Sequence, residues 1–168
     1  MTTAVDTDTY LIYTDGSFRW GRDATEKFGA WASIVRKGDA TVHELAKPVW
    51  DTTISRMELQ AILEALRLVE DGASAIVHSD SQYAVNSLTR WLPGWIRNNW
   101  IRPAGAFNDK PLPVANRDIL EELATHVKRL GKKLKVVWVP RNSTTYNERC
   151  DELAQDLTKK MVNGELTP

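Results

Sequence analysis

Cysteine is almost absent from this sequence, since Cys150 is the single cysteine among 168 residues. A lone thiol cannot form an internal disulfide, and it excludes a zinc site built from several cysteines. Long hydrophobic runs are missing as well, because no apolar stretch approaches the roughly 20 residues that span a membrane. The sequence therefore predicts a chain with no structural disulfide and no membrane partner.

An excess of either charge is also missing, since 22 lysines and arginines balance 22 aspartates and glutamates. A neutral total argues against nucleic-acid binding through bulk charge alone, although it leaves room for a local basic patch. With 42% hydrophobic and 26% charged residues, the composition is that of a globular protein. The length suits one domain with its own core.

The N-terminal residues lack the basic and apolar segments of a secretory signal, so we expect a cytoplasmic protein. Their polar composition predicts a flexible lead over residues 1–9. A single domain is expected over residues 10–162, and a frayed tail over residues 163–168.

Two strand patterns each end in an aspartate that is followed by small polar residues. The first covers about residues 10–14 and leads into Asp15, and the second covers residues 75–79 and leads into Asp80. Ligands bind at the carboxyl ends of strands in open α/β sheets. The two aspartates are therefore expected to share one site at that edge.

The remaining elements alternate between strand and helix patterns. Strands are expected at residues 29–35 and 41–46 as an antiparallel meander with the first strand, and a helix that begins at Ser55 and closes at Gly72 follows. The later predictions are a helix over 81–92 stopped by Pro93-Gly94, a helix over 116–130, a strand over 134–139 and a helix over 147–162. This order predicts an α/β fold with a mixed sheet and helices packed on it.

Two helices add further acids, because Glu58 lies one turn into its helix and Asp151 lies in the expected first turn of the last helix. Taken alone, each acid has a structural interpretation as a turn residue, a capping-box partner of Ser55 or a favourable charge at a helix start. Taken together, four acids near one sheet edge repel one another unless a cation neutralises them. Oxygen ligands favour Mg²⁺ or Mn²⁺, and paired ions of this kind promote phosphodiester displacement.

Four segments resemble the signature motifs of type 1 ribonuclease H, in that family's order and spacing, over about residues 10–160. They are Tyr-Thr-Asp-Gly-Ser at 13–17, Arg-Met-Glu-Leu at 56–59, Ser-Asp-Ser-Gln-Tyr at 79–83 and Asn-Glu-Arg-Cys-Asp-Glu-Leu-Ala at 147–154. The resemblance implies the ribonuclease H-like fold, which has a five-stranded mixed sheet, flanking helices and a handle-like helical insert. It places the family's catalytic, metal-binding acids on Asp15, Glu58, Asp80 and Asp151.

The same resemblance implies an endonuclease that hydrolyses the RNA strand of an RNA–DNA hybrid and leaves 5′-phosphate and 3′-hydroxyl ends. Two Mg²⁺ ions, for which Mn²⁺ can substitute, would bind with the substrate. One would activate the attacking water, and the other would stabilise the leaving 3′-oxygen. Single-domain members of the family are usually monomers, so a monomer is expected.

Residues beside the acids resemble the family's substrate contacts. Gly16 and Ser17 fall where the backbone approaches the RNA strand, and Gln82 matches a glutamine that reads the minor groove. Thr53 and Asn116 resemble a pocket for a phosphate of the DNA strand. Asn116 is equally well explained as the N-cap of its helix.

The stretch from Trp91 to Lys110 resembles the basic handle with which some members grip the duplex. Trp91, Trp95 and Trp100 occupy the handle's tryptophan positions and are expected to pack its own small core. Arg97 is one of its few basic residues. Because the handle is only mildly basic and contains several prolines, we expect a weaker or differently shaped grip on the substrate.

Two segments depart from the family's pattern. Residues 140–146 hold no histidine, and Asn142 occupies the position of the family's loop histidine. Asparagine cannot carry out acid–base chemistry near pH 7, so a slower enzyme is expected. Before Arg56, many members have paired asparagines that reach into the minor groove, where this chain has Ile54 and Ser55. Of these two side chains, only Ser55 retains a hydrogen-bonding group.

Two other functions remain open. The first is a module that binds hybrids with little catalysis, against which the four intact acids argue. The second is another nuclease of the same fold, such as a resolvase or an integrase core. The Arg-Met-Glu-Leu motif at 56–59 and the Asn-Glu-Arg-Cys-Asp motif at 147–151 favour ribonuclease H over these.

Overall fold

The computed structural model of the chain describes residues 7–168. Most of the predicted lead, residues 1–6, lies outside the described residues, and Thr7–Thr9 form a turn that precedes the first strand. Seven strands follow. They are β1 (Tyr10–Trp20), β2 (Lys27–Lys37), β3 (Ala40–Trp50), β4 (Ala75–Ser79), β5 (Ile101–Arg102), β6 (Leu112–Pro113) and β7 (Leu134–Trp138).

The five longer strands form one mixed sheet, which confirms the predicted fold class. Their order is β3-β2-β1-β4-β7, in which β1, β2 and β3 are antiparallel neighbours. Strand β4 runs parallel to both β1 and β7. Strands β5 and β6 form a separate two-stranded sheet.

Five α-helices accompany the sheet. They are α1 (Ile54–Leu66), α2 (Gln82–Asn86), α3 (Leu92–Arg97), α4 (Arg117–Leu130) and α5 (Thr145–Val162). A π-helical turn, Ser87–Trp91, joins α2 to α3, and a 3-10 turn follows α4. No helix in the described part of the chain combines the length and apolar character that membrane crossing requires.

Strand β1 is longer than predicted, because it continues to Trp20 and not only to about residue 14, and β2 begins at Lys27 and not at residue 29. The ladder with β2 continues without a break from Tyr10 opposite Lys37 to Trp20 opposite Lys27. Aromatic side chains in this stretch favour strand structure and cross-strand contact, which outweighs its polar composition. Asp15 therefore lies within a strand, although it remains beyond the last residue that β1 pairs with β4, Tyr13.

Helix α1 begins earlier than predicted. The Thr53 side chain caps it by accepting a hydrogen bond from the Arg56 backbone, so the predicted capping box of Ser55 and Glu58 is wrong. The helix also ends at Leu66, before the predicted Gly72. The earlier start places Glu58 in the second turn.

The predicted stop at Pro93-Gly94 is also wrong, because the chain stays helical through α3. Pro93 lies in the first turn of α3, after the π-helical turn has shifted the hydrogen-bond pattern, so its missing N–H is tolerated. Helix α3 and the β5–β6 hairpin together form the predicted handle. Trp100 is buried with the main core, whereas Trp91 is 40% exposed and therefore is not packed inside the handle as expected.

Helices cover both faces of the sheet. One face packs against α1 and α4 through a large apolar cluster that includes Ile12, Leu59 and Leu120. The other packs against α5 through a smaller cluster that includes Tyr13 and Cys150. The alternation of side chains along β1 therefore points successive residues to α1 and to α5.

The single cysteine belongs to the second of these layers. The Cys150 thiol is buried and donates a hydrogen bond to the Tyr13 carbonyl oxygen over 3.3 Å. Burial raises the pKa of this thiol above its ordinary value. The residue is thus a core residue of α5.

Candidate active site

Three of the predicted acids meet where β1 passes the end of β4. Carboxylate oxygens of Asp15, Glu58 and Asp80 all lie within 4.8 Å of one another. Asp15 and Glu58 are buried, and Asp80 is partly exposed. We call these three residues the acid triad.

Gly16 has no side chain, and this allows Glu58 to reach the other two acids. A Cβ atom at Gly16 would lie 2.9 Å from the Glu58 backbone nitrogen and 3.0 Å from the Cβ atom of Met57. Only glycine therefore permits α1 to pack this closely on β1. Because Gly16 is adjacent to Asp15 in sequence, this contact brings Glu58 close to Asp15.

Asp80 follows β4 directly, and its backbone is held by the neighbouring strand β7. The Trp138 indole N–H donates a hydrogen bond to the Asp80 carbonyl oxygen over 3.1 Å. The triad is thus assembled by three elements, β1, α1 and the end of β4, with β7 supporting one of them.

Burial and mutual repulsion disfavour the ionised forms of these acids. Burial raises the pKa of Asp15 to about 8, and the charges of Asp80 and Asp151 add to the shift. Burial also raises the pKa of Glu58 well above its ordinary value, with the charge of Asp15 as the next cause. The pKa of Asp80 is raised by burial too, although Arg141 opposes that shift. A bound cation would reverse all three effects.

The unpaired oxygen of Glu58 tests whether a metal ion fits this site. Glu58 Oε2 is buried, and no hydrogen-bond partner for it exists among the described residues. Buried polar atoms are almost always paired, so this oxygen requires an explanation. A donor set made only of carboxylate oxygens suits hard divalent cations such as Mg²⁺ or Mn²⁺. The triad therefore fits a divalent metal ion.

Asp151 lies beside the triad and is held by its own neighbours. Helix α5 begins at Thr145, so Asp151 is in its second turn and the predicted first-turn position is wrong. The helix starts early because the Thr144 side chain caps it by accepting a hydrogen bond from the Asn147 backbone. Gln155 Nε2 donates to both Asp151 oxygens, and Arg141 Nη2 lies 3.6 Å from Asp151 Oδ1.

All four acids line one open pocket with a volume of about 630 Å³. Sequence reasoning missed three polar residues of its wall, Arg19, Arg141 and Gln155. Gln155 had a detectable signal, because it follows Asp151 by four residues on one helix. Arg141 had only its position next to Asn142 in the loop between β7 and α5.

A sequence model of the family described as RNase H matches residues 7–159. The chain belongs to the ribonuclease H family. It is accordingly an enzyme of the ribonuclease H class, and enzymes of this family generally use divalent metal ions.

Named relatives agree with this assignment, and a solved structure shares the fold. The chain is 42% identical over 130 residues to the ribonuclease H of Geotalea uraniireducens. The aligned region covers 76% of this chain and 81% of that protein. It is 34% identical over 148 residues to the ribonuclease H of Clostridium botulinum. This alignment covers 87% of this chain and 93% of that protein. The foamy viral protease-reverse transcriptase in complex with an RNA/DNA hybrid matches 94% of this chain and 21% of its own, with a TM-score of 0.77 and 18% identity.

In this ribonuclease H, the first expected substrate residues line the acid pocket. Gly16 and Ser17 both belong to its wall. The Ser17 hydroxyl, however, shares a hydrogen bond with the Thr158 hydroxyl over 3.0 Å and is buried. Its side chain faces α5, so only the backbone is offered to a substrate.

The residues of the expected phosphate pocket gather around Arg56, which sequence reasoning had not assigned. Arg56 Nη1 donates to Asn116 Oδ1 over 3.4 Å, and Thr53 lies at the start of the same helix. Asn116 occupies the N-cap position of α4, as one interpretation predicted, but its backbone is left-handed and its side chain makes no capping hydrogen bond. Its amide instead donates to the Tyr83 hydroxyl over 3.0 Å. Asp118 already pairs with the Arg56 guanidinium through two hydrogen bonds, over 2.9 and 2.7 Å.

The other residues that were expected to contact the substrate do not line the acid pocket. Gln82 is exposed at the first residue of α2, and Ser55 is partly exposed at the second residue of α1. Arg97 and Trp91 line a groove of the handle. Asn142 is exposed in the loop with a left-handed backbone, and the residue of that loop that lines the pocket is Arg141.

Proposed function

We propose that this ribonuclease H hydrolyses the RNA strand of RNA–DNA hybrids with two divalent cations bound among Asp15, Glu58, Asp80 and Asp151. The observation that carries the proposal is the buried, unpaired Oε2 of Glu58 inside a cluster of three carboxylates. Such a cluster is unfavourable without a cation, and enzymes of this family generally use divalent metal ions. We propose Mg²⁺ as the cation, with Mn²⁺ able to replace it.

The four acids would hold the cations. When bound, such cations activate an attacking water and stabilise the leaving 3′-oxygen, which leaves 5′-phosphate and 3′-hydroxyl ends. The protein contributes the rigid placement of Asp15 and Glu58, which are both buried. The exposed guanidinium of Arg141 supplies positive charge at the mouth of the pocket.

The hybrid would lie across the acid pocket, the cluster around Arg56 and the handle. We propose that the backbone at Gly16 and Ser17 and the side chain of Gln82 approach the RNA strand. Support comes from the foamy viral chain, which shares this fold and is described in complex with an RNA/DNA hybrid.

The opposite side of the duplex would be held by the cluster of Thr53, Arg56 and Asn116, which we propose as the contact for a DNA-strand phosphate. Trp91 and Arg97 of the handle would extend this contact. Ser55 is the remaining polar group at the start of α1. The pairing of Arg56 with Asp118 limits the strength of the phosphate contact.

We also propose that cleavage is slow for this family, because Asn142 cannot exchange protons near pH 7.

Residues 10–162 would form the catalytic domain and act as a monomer. Light scattering coupled to gel filtration, with and without a hybrid, tests the monomer directly, since a dimer would double the mass.

Cleavage of an end-labelled RNA–DNA hybrid tests the proposed function. The assay compares Mg²⁺ with Mn²⁺, and hybrid with duplex DNA and with free RNA. Internal cuts in the RNA strand are expected only in the hybrid, and Asp15→Asn should abolish them. The matched control is Asp156→Asn, which removes an exposed acid of α5 outside the acid pocket.

The outcomes separate the alternatives. Hybrid binding without cleavage would favour the binding module, and cleavage of duplex DNA would favour a different nuclease of the same fold. Cleavage that survives Asp15→Asn would remove the metal site from the proposal.

A further inference from the structure

One part of the acid pocket wall is apolar. Ile54, the first residue of α1, is 44% exposed, and Phe18 of β1 lines the same pocket. The Phe18 ring meets the Trp20 ring edge-on with 5.3 Å between ring centroids. We call Phe18 and Ile54 the apolar rim.

The rim lies directly beside the acid triad. Gly16 and Phe18 are two residues apart in β1, so they face the same side of the sheet. That side is the one on which α1 packs, because a Cβ atom at Gly16 would meet the backbone of Glu58. Ile54 precedes Glu58 by four residues and so lies on the same face of α1. The substrate at the triad would therefore touch the rim.

The uncharged polar side chains of the pocket are already engaged within the protein. The Ser17 hydroxyl is bonded to Thr158, and the Gln155 amide is bonded to Asp151. Arg19 also donates its Nε to Thr158 over 3.2 Å. The pocket consequently offers few free uncharged polar groups to a ribose hydroxyl.

The 2′-hydroxyl is the group by which a protein distinguishes RNA from DNA at a given position. A hydroxyl beside Ile54 or Phe18 gains no hydrogen bond from either side chain, so its removal sacrifices no interaction with the protein there. The CH₂ group of a 2′-deoxyribose loses nothing by the same contact and packs well against an apolar side chain.

We propose that the apolar rim makes this enzyme tolerant of a 2′-deoxyribonucleotide in the RNA strand at the position that contacts Ile54 beside the scissile phosphate. The inference rests on the proposed function, and it names the substrate class more narrowly. Hybrids whose RNA strand is interrupted by single deoxyribonucleotides are then substrates. The rim residues act as specificity determinants and take no part in bond cleavage.

A series of hybrids with one 2′-deoxyribonucleotide moved stepwise across a single cleavage site tests this inference. For the wild type, at least one position next to the cut should change kcat/KM by less than about twofold. In Ile54→Asn the same substitution should lower kcat/KM about fivefold, because the amide gives the 2′-hydroxyl a hydrogen bond of about 1 kcal/mol that the deoxy hybrid lacks. The control Ile54→Val keeps an apolar side chain and should retain the tolerance.

A loss of about tenfold or more at every position near the cut in the wild type would overturn the inference. An identical profile for the wild type and Ile54→Asn would overturn it as well. The all-RNA hybrid in the same assay tests the proposed function separately.

Competition binding tests the rim without cleavage, with Asp15→Asn present in both proteins to block it. The protein with Ile54 should bind the all-RNA and deoxy-substituted hybrids equally well. The protein with Ile54→Asn should prefer the all-RNA hybrid by about fivefold. A preference for the all-RNA hybrid that is equal in both proteins would exclude a role for the rim, whatever the cleavage assay shows.

Discussion

Gln155 donates its side-chain amide to both carboxylate oxygens of Asp151, over 2.9 and 3.0 Å. The two residues are one helical turn apart on α5, so the helix itself fixes the orientation of the acid. Arg141, in the loop that precedes α5, forms an ion pair with the same carboxylate. The fourth acid is thus positioned by protein groups, whereas one oxygen of Glu58 has no hydrogen-bond partner in residues 7–168.

Gln155→Met should lower kcat at saturating Mg²⁺ by about tenfold. The substitution keeps the volume of the side chain but removes a hydrogen bond to a charged acceptor, which is worth about 1.5–3 kcal/mol. Steady-state kinetics over a range of Mg²⁺ concentrations measures the effect. The matched control is Gln60→Met, which breaks the equivalent contact of Gln60 with Glu64 on α1. Equal kcat values for the wild type and Gln155→Met would contradict a positioning role.

Gly16→Ala should destabilise the protein by about 1–3 kcal/mol, because the new Cβ atom collides with the backbone of α1. The displacement of α1 should also move Glu58 away from Asp15 and reduce cleavage. Urea unfolding and the hybrid assay measure the two effects. In the control Gly105→Ala the new Cβ atom meets no atom within 4 Å, so both quantities should stay unchanged.

The metal-free protein should lose stability as the pH rises from about 5 to 8. Burial raises the pKa of Asp15 to about 8 in the folded state, whereas the unfolded chain has an ordinary value near 4. In that interval the folded protein binds more protons than the unfolded chain, so each rise in pH favours unfolding. Urea unfolding in EDTA measures the slope.

Two comparisons sharpen this pH prediction. Asp15→Asn should flatten the slope and stabilise the metal-free protein at pH 8 by about 1–3 kcal/mol, because it removes a buried charge. Added Mg²⁺ should stabilise the wild type most at high pH. A metal-free protein that is more stable at pH 8 than at pH 5 would refute the prediction.

Asp118→Asn should strengthen hybrid binding by up to about fivefold, because loss of an exposed ion pair frees the Arg56 guanidinium for a phosphate. The salt dependence of binding should steepen at the same time. Fluorescence anisotropy at several salt concentrations measures both. The control Glu121→Gln changes the net charge equally but acts on Arg117 of the same helix, so a similar gain there would indicate bulk charge alone.

Asn142→His should raise kcat by up to about 10²-fold, because histidine can exchange protons near neutral pH. Asn142 has a φ of 53°, a left-handed conformation that histidine also adopts. The rate should gain a dependence on pH near 6.5 that the wild type lacks. Asn142→Gln, which does not titrate, should show no gain.

Local patterns predicted the order of the elements and three of the acids that meet. Asp15 and Asp80 follow the apolar runs of neighbouring strands, and Glu58 shares the apolar stripe of α1, so short-range periodicity places all three near one edge. The length of β1 was not predictable in this way, because the ladder from Phe18 to Trp20 depends on cross-strand partners in β2.

Long-range contacts decide the remaining features. The approach of α1 to β1 depends on Gly16, and the position of Arg141 depends on how the loop after β7 passes α5. The π-helical turn before Pro93 depends on how the handle packs, which propensity cannot report. These features follow from tertiary structure and not from the local sequence.

The buried thiol of Cys150 has a practical consequence for experiments on this protein. Its hydrogen bond to Tyr13 and its raised pKa leave almost no thiolate at neutral pH. A cysteine introduced at an exposed position such as Phe107 would then be the only group to react with a maleimide dye. Single-site fluorescent labelling therefore does not require the replacement of Cys150, and distances from the handle to a labelled duplex become measurable with the native cysteine in place.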